Sequence, residues 1–320
     1  MPRRAASLAL LVSLAGAATL GCLHLEIDGD VAGQIAANTT ATACDPVICD
    51  APDTDPAYPA ALKELTVPSH DAALNAIVYV ASGPGPHPVA ILLHGYPGNE
   101  RNGDLAQALR RAGWTVLFFH YRGTWGSPGT FTFTRALEDV AAAVDFVRTP
   151  GFAKQYRADP TRVALIGHSM GGFLALATAA EHAEVDCVVS MAGANLGLMG
   201  QAAASDPAAR ARLEQGFGGW SGPIRMAPRY APVDELVANA QRFDLTRRAA
   251  ALAKRPVLLV AGARDDVAPR AQHLDPLVAA LASAGAKRAT SVVLDADHAF
   301  SSQRIELAHQ VVGWLGRSCL

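Results

Sequence analysis

The stretch Arg162 to Gly172, R-V-A-L-I-G-H-S-M-G-G, constrains the fold more than any other part of the chain. A short apolar run, Val163 to Ile166, stops at Gly167, and Phe173, Leu174, Ala175 and Leu176 then follow at helical spacing. The pattern predicts a strand, a tight turn and a helix, with Ser169 at the tip of the turn in the centre of Gly-x-Ser-x-Gly. So sharp a turn leaves room only for small residues beside the serine, which Gly167 and Gly171 supply. Its strain would aim the hydroxyl out of the sheet toward a substrate.

The surrounding sequence predicts neighbours for that strand. Val89 to Leu93, Thr115 to His120, Cys187 to Met191, Pro256 to Ala261 and Thr290 to Leu294 read as strands. Helical patterns over Leu105 to Ala112, Phe133 to Arg148, Phe173 to His182, Leu274 to Ala284 and Gln303 to Leu315 alternate with them. Continuous apolar strands separated by amphipathic helices imply an α/β fold, a mostly parallel sheet covered by helices on both faces. Leu65 to Pro68 and Ala73 to Ala81 look like an antiparallel pair at its start. Right-handed crossovers gather the C-terminal ends of the parallel strands on one edge, where ligands bind. Asn195 to Arg248 breaks the rhythm with short helical pieces among Gly216, Gly218, Gly219, Trp220, Pro223, Pro228 and Pro232. It reads as a lid-like insertion (about 195–248) over that edge.

A hydroxyl is a weak nucleophile. It needs a base, a group that orients the base, and donors for the oxyanion. His298 directly follows the last strand, whereas His273 and His309 fall within helices, so His298 is the candidate base. Asp265 and Asp266 follow the preceding strand, and spacing does not separate them. Asp295 and Asp297 more simply shape the His298 loop, Asp186 belongs to the wrong end of the sheet, and Asp234 and Glu235 in the lid are remote alternatives. One oxyanion donor is the Met170 N–H at the start of the helix, where the dipole favours negative charge. The second should come from His94-Gly95-Tyr96-Pro97-Gly98. Pro97 has no N–H, which leaves Tyr96. His94 reads as a structural member of this loop.

With these residues in place, residues 62 to 317 resemble an α/β-hydrolase, with Ser169, Asp265 and His298 in the family's order. Gly262-x-x-Asp265-x-x-x-Pro269 matches the acid turn of that family, which implies Asp265 rather than Asp266. The chain is most similar to the dienelactone hydrolase and prolyl oligopeptidase-like group, in which Tyr121-Arg122-Gly123-Thr124-Trp125-Gly126-Ser127 corresponds to a loop beside the active site. His120 departs from it, standing where Asp or Asn is common. The resemblance implies a serine hydrolase that cleaves a small-molecule carboxylic ester through an acyl-enzyme, with no cofactor and no metal. A peptidase acting on short peptides and a non-catalytic binding protein on the same fold are the alternatives. The roughly 60 residues before the fold are too few for the propeller domain such peptidases usually add.

The 27 basic and 29 acidic residues nearly balance and form no run, which argues against a nucleic-acid partner. Arg3 and Arg4 precede the apolar stretch Ala5 to Leu20, which reads as a signal peptide over residues 1–22. Ala15-Gly16-Ala17 offers a cleavage site. Thr19-Leu20-Gly21-Cys22 resembles a lipobox, in which lipidated Cys22 would give membrane attachment. The chain is therefore expected to be exported: periplasmic, secreted or lipid-anchored in a bacterial envelope. Residues 23–61 read as a linker or extension and 62–320 as the hydrolase domain. Cys44 and Cys49 could close a small disulfide in an oxidising compartment, and Cys187 reads as a buried core thiol.

Overall fold

Val163 to His168 form the inner half of strand β5 (Ala158–His168), and every one of these residues is buried. A strand buried on both sides must lie inside a sheet covered on both faces. The computed structural model, which describes residues 44–50, 55–218, 222–228 and 230–319, places β5 there. It lies between β3 (His87–Leu93) and β6 (Cys187–Met191), parallel to both. The full sheet runs β1-β2-β4-β3-β5-β6-β7-β8. β1 (Ala61–Ser69) and β2 (Ala72–Val80) pair antiparallel, and β2 is antiparallel to β4 (Thr115–Phe119). From β4 to β7 (Val257–Gly262) and β8 (Ala289–Leu294) all pairings are parallel. The stretch that reads as a signal peptide, with Cys22, lies outside the described residues.

Alternate residues of β3 divide the core in two. Val89, Ile91 and Leu93 pack with α2 (Phe133–Val147), α3 (Pro150–Tyr156), α4 (Met170–Glu181) and α9 (Arg270–Ser283). Ala90 and Leu92 pack on the other face with α1 (Gly103–Arg111) and α10 (Arg304–Ser318). At about 1.5–3 kcal/mol for each large apolar side chain buried, these two layers dominate the stability of the sheet.

Most expected elements are present with ends shifted by a few residues. The sequence pattern missed α3, which begins with Pro150 behind a Thr149 cap. It also missed the polar first residues of β5, where Ala158 pairs with His87. Cys44 and Cys49 form a disulfide. Cys187 is buried but is not a free thiol. It is bonded to Cys319, which ties α10 to β6, and a separation of 132 residues hid the pairing. Residues 44–50, within the segment read as a linker, are docked: Arg111 Nε donates to Pro46 O (2.6 Å), and His309 pairs with Asp45 (2.8 Å).

The segment after β6 forms α5 (Leu196–Ser205), α6 (Pro207–Gly218), α7 (Pro232–Ala238), a 3-10 turn (Leu245–Arg248) and the short α8 (Ala249–Leu252). Main-chain bonds of Pro223 and Arg225 with Gly123, Trp125 and Phe131 fasten its middle, and the side chains of Asn195 and Glu235 fasten it at two further points. Asn195 Oδ1 accepts from the N–H groups of Gly197, Leu198 and Leu245, closing its base. Farther along, the Glu235 carboxylate accepts from Phe133 N and Thr134 N (2.9 Å each) and from Thr134 Oγ1 (2.7 Å), with the Tyr230 hydroxyl as a fourth donor. Phe133 and Thr134 open α2, so a carboxylate meets the free N–H groups and positive end of a helix.

Cys319→Ala should lower the unfolding free energy by roughly 2–4 kcal/mol, because the cross-link closes a long loop. Cys44→Ala should cost less, because its loop is short. Urea unfolding of both variants beside the parent checks the order, and an equal or reversed cost would contradict it.

Candidate active site

The turn after β5 is built on close approach. Ser169 has φ 57° and ψ −121°, and α4 begins at the next residue. A Cβ on Gly167 would come within 2.0 Å of Gly171 O, and one on Gly171 within 2.2 Å of Leu93 O. Only glycine fits at either position. Ser169 N donates to Met191 O (2.9 Å) and its carbonyl accepts from Gly172 N (2.9 Å), so both sides of the serine are held by backbone.

The loops after β7 and β8 bring the expected partners together. His298 Nδ1 lies 2.8 Å from Asp265 Oδ2. Asp265 Oδ1 accepts from Val267 N (2.9 Å) and Ala268 N (2.8 Å). The imidazole must therefore donate from Nδ1, which leaves Nε2 as the acceptor. Burial would raise the Asp265 pKa, but the bonds from His298 and the two backbone N–H groups outweigh it and hold the carboxyl below its usual range. The other carboxylates go elsewhere. Asp266 is exposed. Asp295 pairs with Arg264 at 3.3 Å, and Asp297 accepts from Ser301 N at 2.7 Å. Asp186 binds Val163 N at the far end of β5, and Asp234 pairs with Arg210 on the surface. Glu235 is the lid clamp.

Tyr96 and Met170 line the same cavity as Ser169. Among the described residues neither backbone N–H has an acceptor, so both are available to an anion. The loop carrying Tyr96 is braced throughout. Tyr121 OH donates to His94 O (2.9 Å), Trp125 Nε1 donates to Pro97 O (2.8 Å), and His94 Nδ1 donates to Gly95 O (2.7 Å). His94 is thus a brace, as its place in the loop suggests. Its Nε2 faces His120 Nδ1 at 3.4 Å, which accounts for a histidine at position 120. Burial, with His120 close by, pushes the His94 pKa down to about 3.

The cavity at Ser169 has a volume of about 200 Å³. Phe133, Ala194 and Val267 contribute from the main fold, and Leu196, Met199, Leu213 and Phe217 from α5 and α6. The insertion therefore does cover the edge where Ser169 sits. Among the described residues Arg212 is the one charged residue in the lining. A larger groove, about 660 Å³, runs along β1, β2 and β4, but no nucleophile with a paired base opens into it. Among the described residues no group of three His, Cys, Asp or Glu side chains could hold a metal ion.

Several contributors escaped the sequence pattern. Glu235 reads from the sequence only as a remote acid, because nothing in the proline-punctuated segment around it marks it as a cap for α2. Phe133 reads from the sequence as a helix start, and nothing local marks the ring as part of the cavity wall. His168 lies inside the motif itself, and its Nε2 is 2.7 Å from the carbonyl oxygen of His298.

The model of a family described as the alpha/beta hydrolase family matches residues 90–310. An uncharacterized Mycobacterium tuberculosis protein is 28% identical over 199 residues, which is 62% of this chain and 59% of the relative, so the chain spans about three-fifths of that protein's length. Among solved structures, the Pyrococcus furiosus esterase superposes with a TM-score of 0.61 at 20% identity, covering 82% of this chain and 93% of the esterase. Est1E from Butyrivibrio proteoclasticus gives 0.59 at 18% identity, covering 79% and 98%. The Pyrococcus horikoshii acylaminoacyl peptidase gives 0.59 at 15% identity, covering 81% of this chain and 42% of the peptidase. At these identities the structural likeness shows a shared fold.

Burial, with His298 alongside, holds the His168 pKa near 4, and His94 lies lower still, against an ordinary value of 6.5. The unfolded chain therefore binds more protons than the folded one between about pH 6.5 and 4, and stability falls as pH drops through that window. From pH 7 to 5 these two imidazoles should together cost on the order of 2–4 kcal/mol. Urea midpoints across that range measure it, and a flat profile would show that the imidazoles charge freely in the folded state.

Proposed function

The chain belongs to the alpha/beta hydrolase family, and from that premise we propose that it is a serine hydrolase cleaving carboxylic esters through an acyl-enzyme. The observation that carries this reading is the 2.8 Å contact between His298 and Asp265 beside a cavity into which Ser169 projects from a turn with positive φ.

In this mechanism Ser169 Oγ attacks the ester carbonyl and His298 Nε2 takes the proton. Asp265 keeps the imidazole in the Nδ1–H tautomer and stabilises the imidazolium. The Tyr96 and Met170 N–H groups receive the oxyanion, and the α4 dipole adds to their field. Collapse of the tetrahedral intermediate expels the alcohol, which takes its proton from His298. Water then attacks the acyl-enzyme by the same route and releases the acid and free Ser169. Among the described residues Ser169 Oγ has no hydrogen-bond partner. The hydrogen bond to His298 Nε2 would form as substrate enters, since catalytic hydrogen bonds are often long or unmade in the free enzyme.

The cavity supports an apolar acyl group of short to medium length. Its volume equals about seven waters at liquid density, and its walls are aliphatic and aromatic. A peptidase would gain from a carboxylate to hold a peptide amino terminus, and the lining residues include none. We place the enzyme outside the cytoplasm, periplasmic, secreted or held by lipidated Cys22. Two disulfides support an oxidising compartment.

Ser169→Ala should lower kcat on p-nitrophenyl esters by on the order of 10⁴–10⁶ and abolish labelling by a fluorophosphonate probe. Asp265→Asn should lower kcat about 10⁴-fold while leaving the fold intact. Undiminished turnover in the serine variant, or comparable rates on aminoacyl amides, would refute the esterase reading. A chain-length series locates the acyl pocket: Leu213→Trp should lower kcat/KM tenfold or more on the longest acyl group accepted and spare acetate esters.

A further inference from the structure

His298 is fixed at two places. Its side chain is held by Asp265. Its backbone is held by His168, whose ring nitrogen Nε2 lies 2.7 Å from the His298 carbonyl oxygen. A carbonyl can only accept, so Nε2 carries the hydrogen and donates it. The rings of the two histidines are 4.9 Å apart between centroids, and Phe300, fully buried, packs beyond them.

We propose that His168 is a positioning residue for the base, tying the loop after β8 to the strand that carries the nucleophile. The proposal rests on the hydrolase reading above and adds a residue to it. His168 ends β5, the strand between β3 and β6, and is only 4% exposed, so its ring is anchored on a buried interior strand of the sheet. Ser169 is the next residue. One peptide unit thus carries both the attacking oxygen and the tether of the group that must deprotonate it. The neighbours of His298 in the loop are tied elsewhere, Ala296 O to Arg264 N (2.9 Å) and Ala299 O to Arg304 (3.0 Å), so among the described residues the His168 bond is the one that holds the backbone of His298 itself. Asp297 bonds Ser301 N and Phe300 N within the loop itself and does not fix the loop to the sheet. A reacting group displaced by about 1 Å can cost on the order of 100-fold in rate.

Neutrality of His168 is built in. Its Nδ1 is buried with no partner among the described residues, so a second proton there would be unsolvated. Burial and the neighbouring His298 hold its pKa near 4. Arg304 opposes that second proton too, and the bond to the His298 carbonyl and the charge of Asp265, which favour it, are outweighed. Across the range in which His298 must be neutral to act, His168 remains a donor of fixed tautomer and does not compete for the proton.

The test uses His168→Gln, whose amide reaches the position of Nε2, His168→Leu, which fills the site without a donor, and His168→Asn, whose amide falls short. Three quantities are compared on the full exported chain: kcat and KM for a p-nitrophenyl ester, the acid limb of the kcat–pH profile, and amide hydrogen exchange of residues 296–302. The expected result is kcat lowered 10- to 100-fold in the Leu and Asn variants with KM within twofold and the acid limb displaced, and kcat within about threefold in the Gln variant. Exchange of the loop should be faster in Leu and Asn and near parental in Gln. Parental kcat and loop exchange in a folded Leu variant would overturn the proposal. So would equal rates and equal exchange for Gln and Asn, the comparison that decides if the Leu variant does not fold. Exchange reads the tether without turnover, so a parent that hydrolyses no ester would refute the hydrolase reading while leaving the positioning role separately decided.

Discussion

Everything at the candidate site depends on two backbone segments passing closer than side chains allow. The first turn of α4 lies against the end of β5 and against the end of β3 with nothing but glycine hydrogens between them. This approach forces the positive φ at Ser169 and lifts its side chain clear of the sheet. It also aims the unbonded Met170 N–H into the cavity and brings the Tyr96 loop, which continues β3, alongside. Strain at one residue is thus repaid by rigid placement of a nucleophile and an anion site together. Burial of the strands around the crossing stabilises it, since neither element can retreat without exposing Ile166 or Leu93.

What could be read from the chain follows from how local the relevant physics is. The β5–α4 turn was legible because its requirements lie within a few residues: an apolar run, two small residues and a helical repeat. The mostly parallel sheet, the placement of Asp265 and His298 after β7 and β8, and the exclusion of Pro97 as a donor follow from the alternation of strands and helices and the chemistry of the peptide bond. Long-range pairings were not legible. Cys187 and Cys319 meet because the last helix packs against β6, and no local pattern records that. Glu235 reaches the start of α2 across about a hundred residues. His168 stood in plain view, but its partner is a backbone carbonyl, which no residue type marks.

The lid illustrates the same division. Its existence showed in the interrupted rhythm of residues 195–248, while its function as a wall depends on which faces of α5 and α6 turn inward. Leu196, Met199, Leu213 and Phe217 do so. The two side-chain fastenings differ in character. Asn195 closes the base with neutral hydrogen bonds to backbone, and Glu235 uses a charge against a helix end, which makes it the stronger of the two.

Tyr96 joins the lid to the chemistry. Its main-chain N–H has no acceptor among the described residues and it lines the cavity of Ser169, while its hydroxyl reaches the carbonyl of Phe217 at the end of α6 (3.3 Å), and their rings meet edge to face at 5.2 Å. A substrate that pushes α6 aside therefore also disturbs the residue expected to hold the developing charge. An ill-fitting ester would be admitted and bound, yet turned over slowly. Selectivity in such an arrangement is exercised on the barrier and not at the door, and an inhibitor screen scored by affinity alone would overlook it.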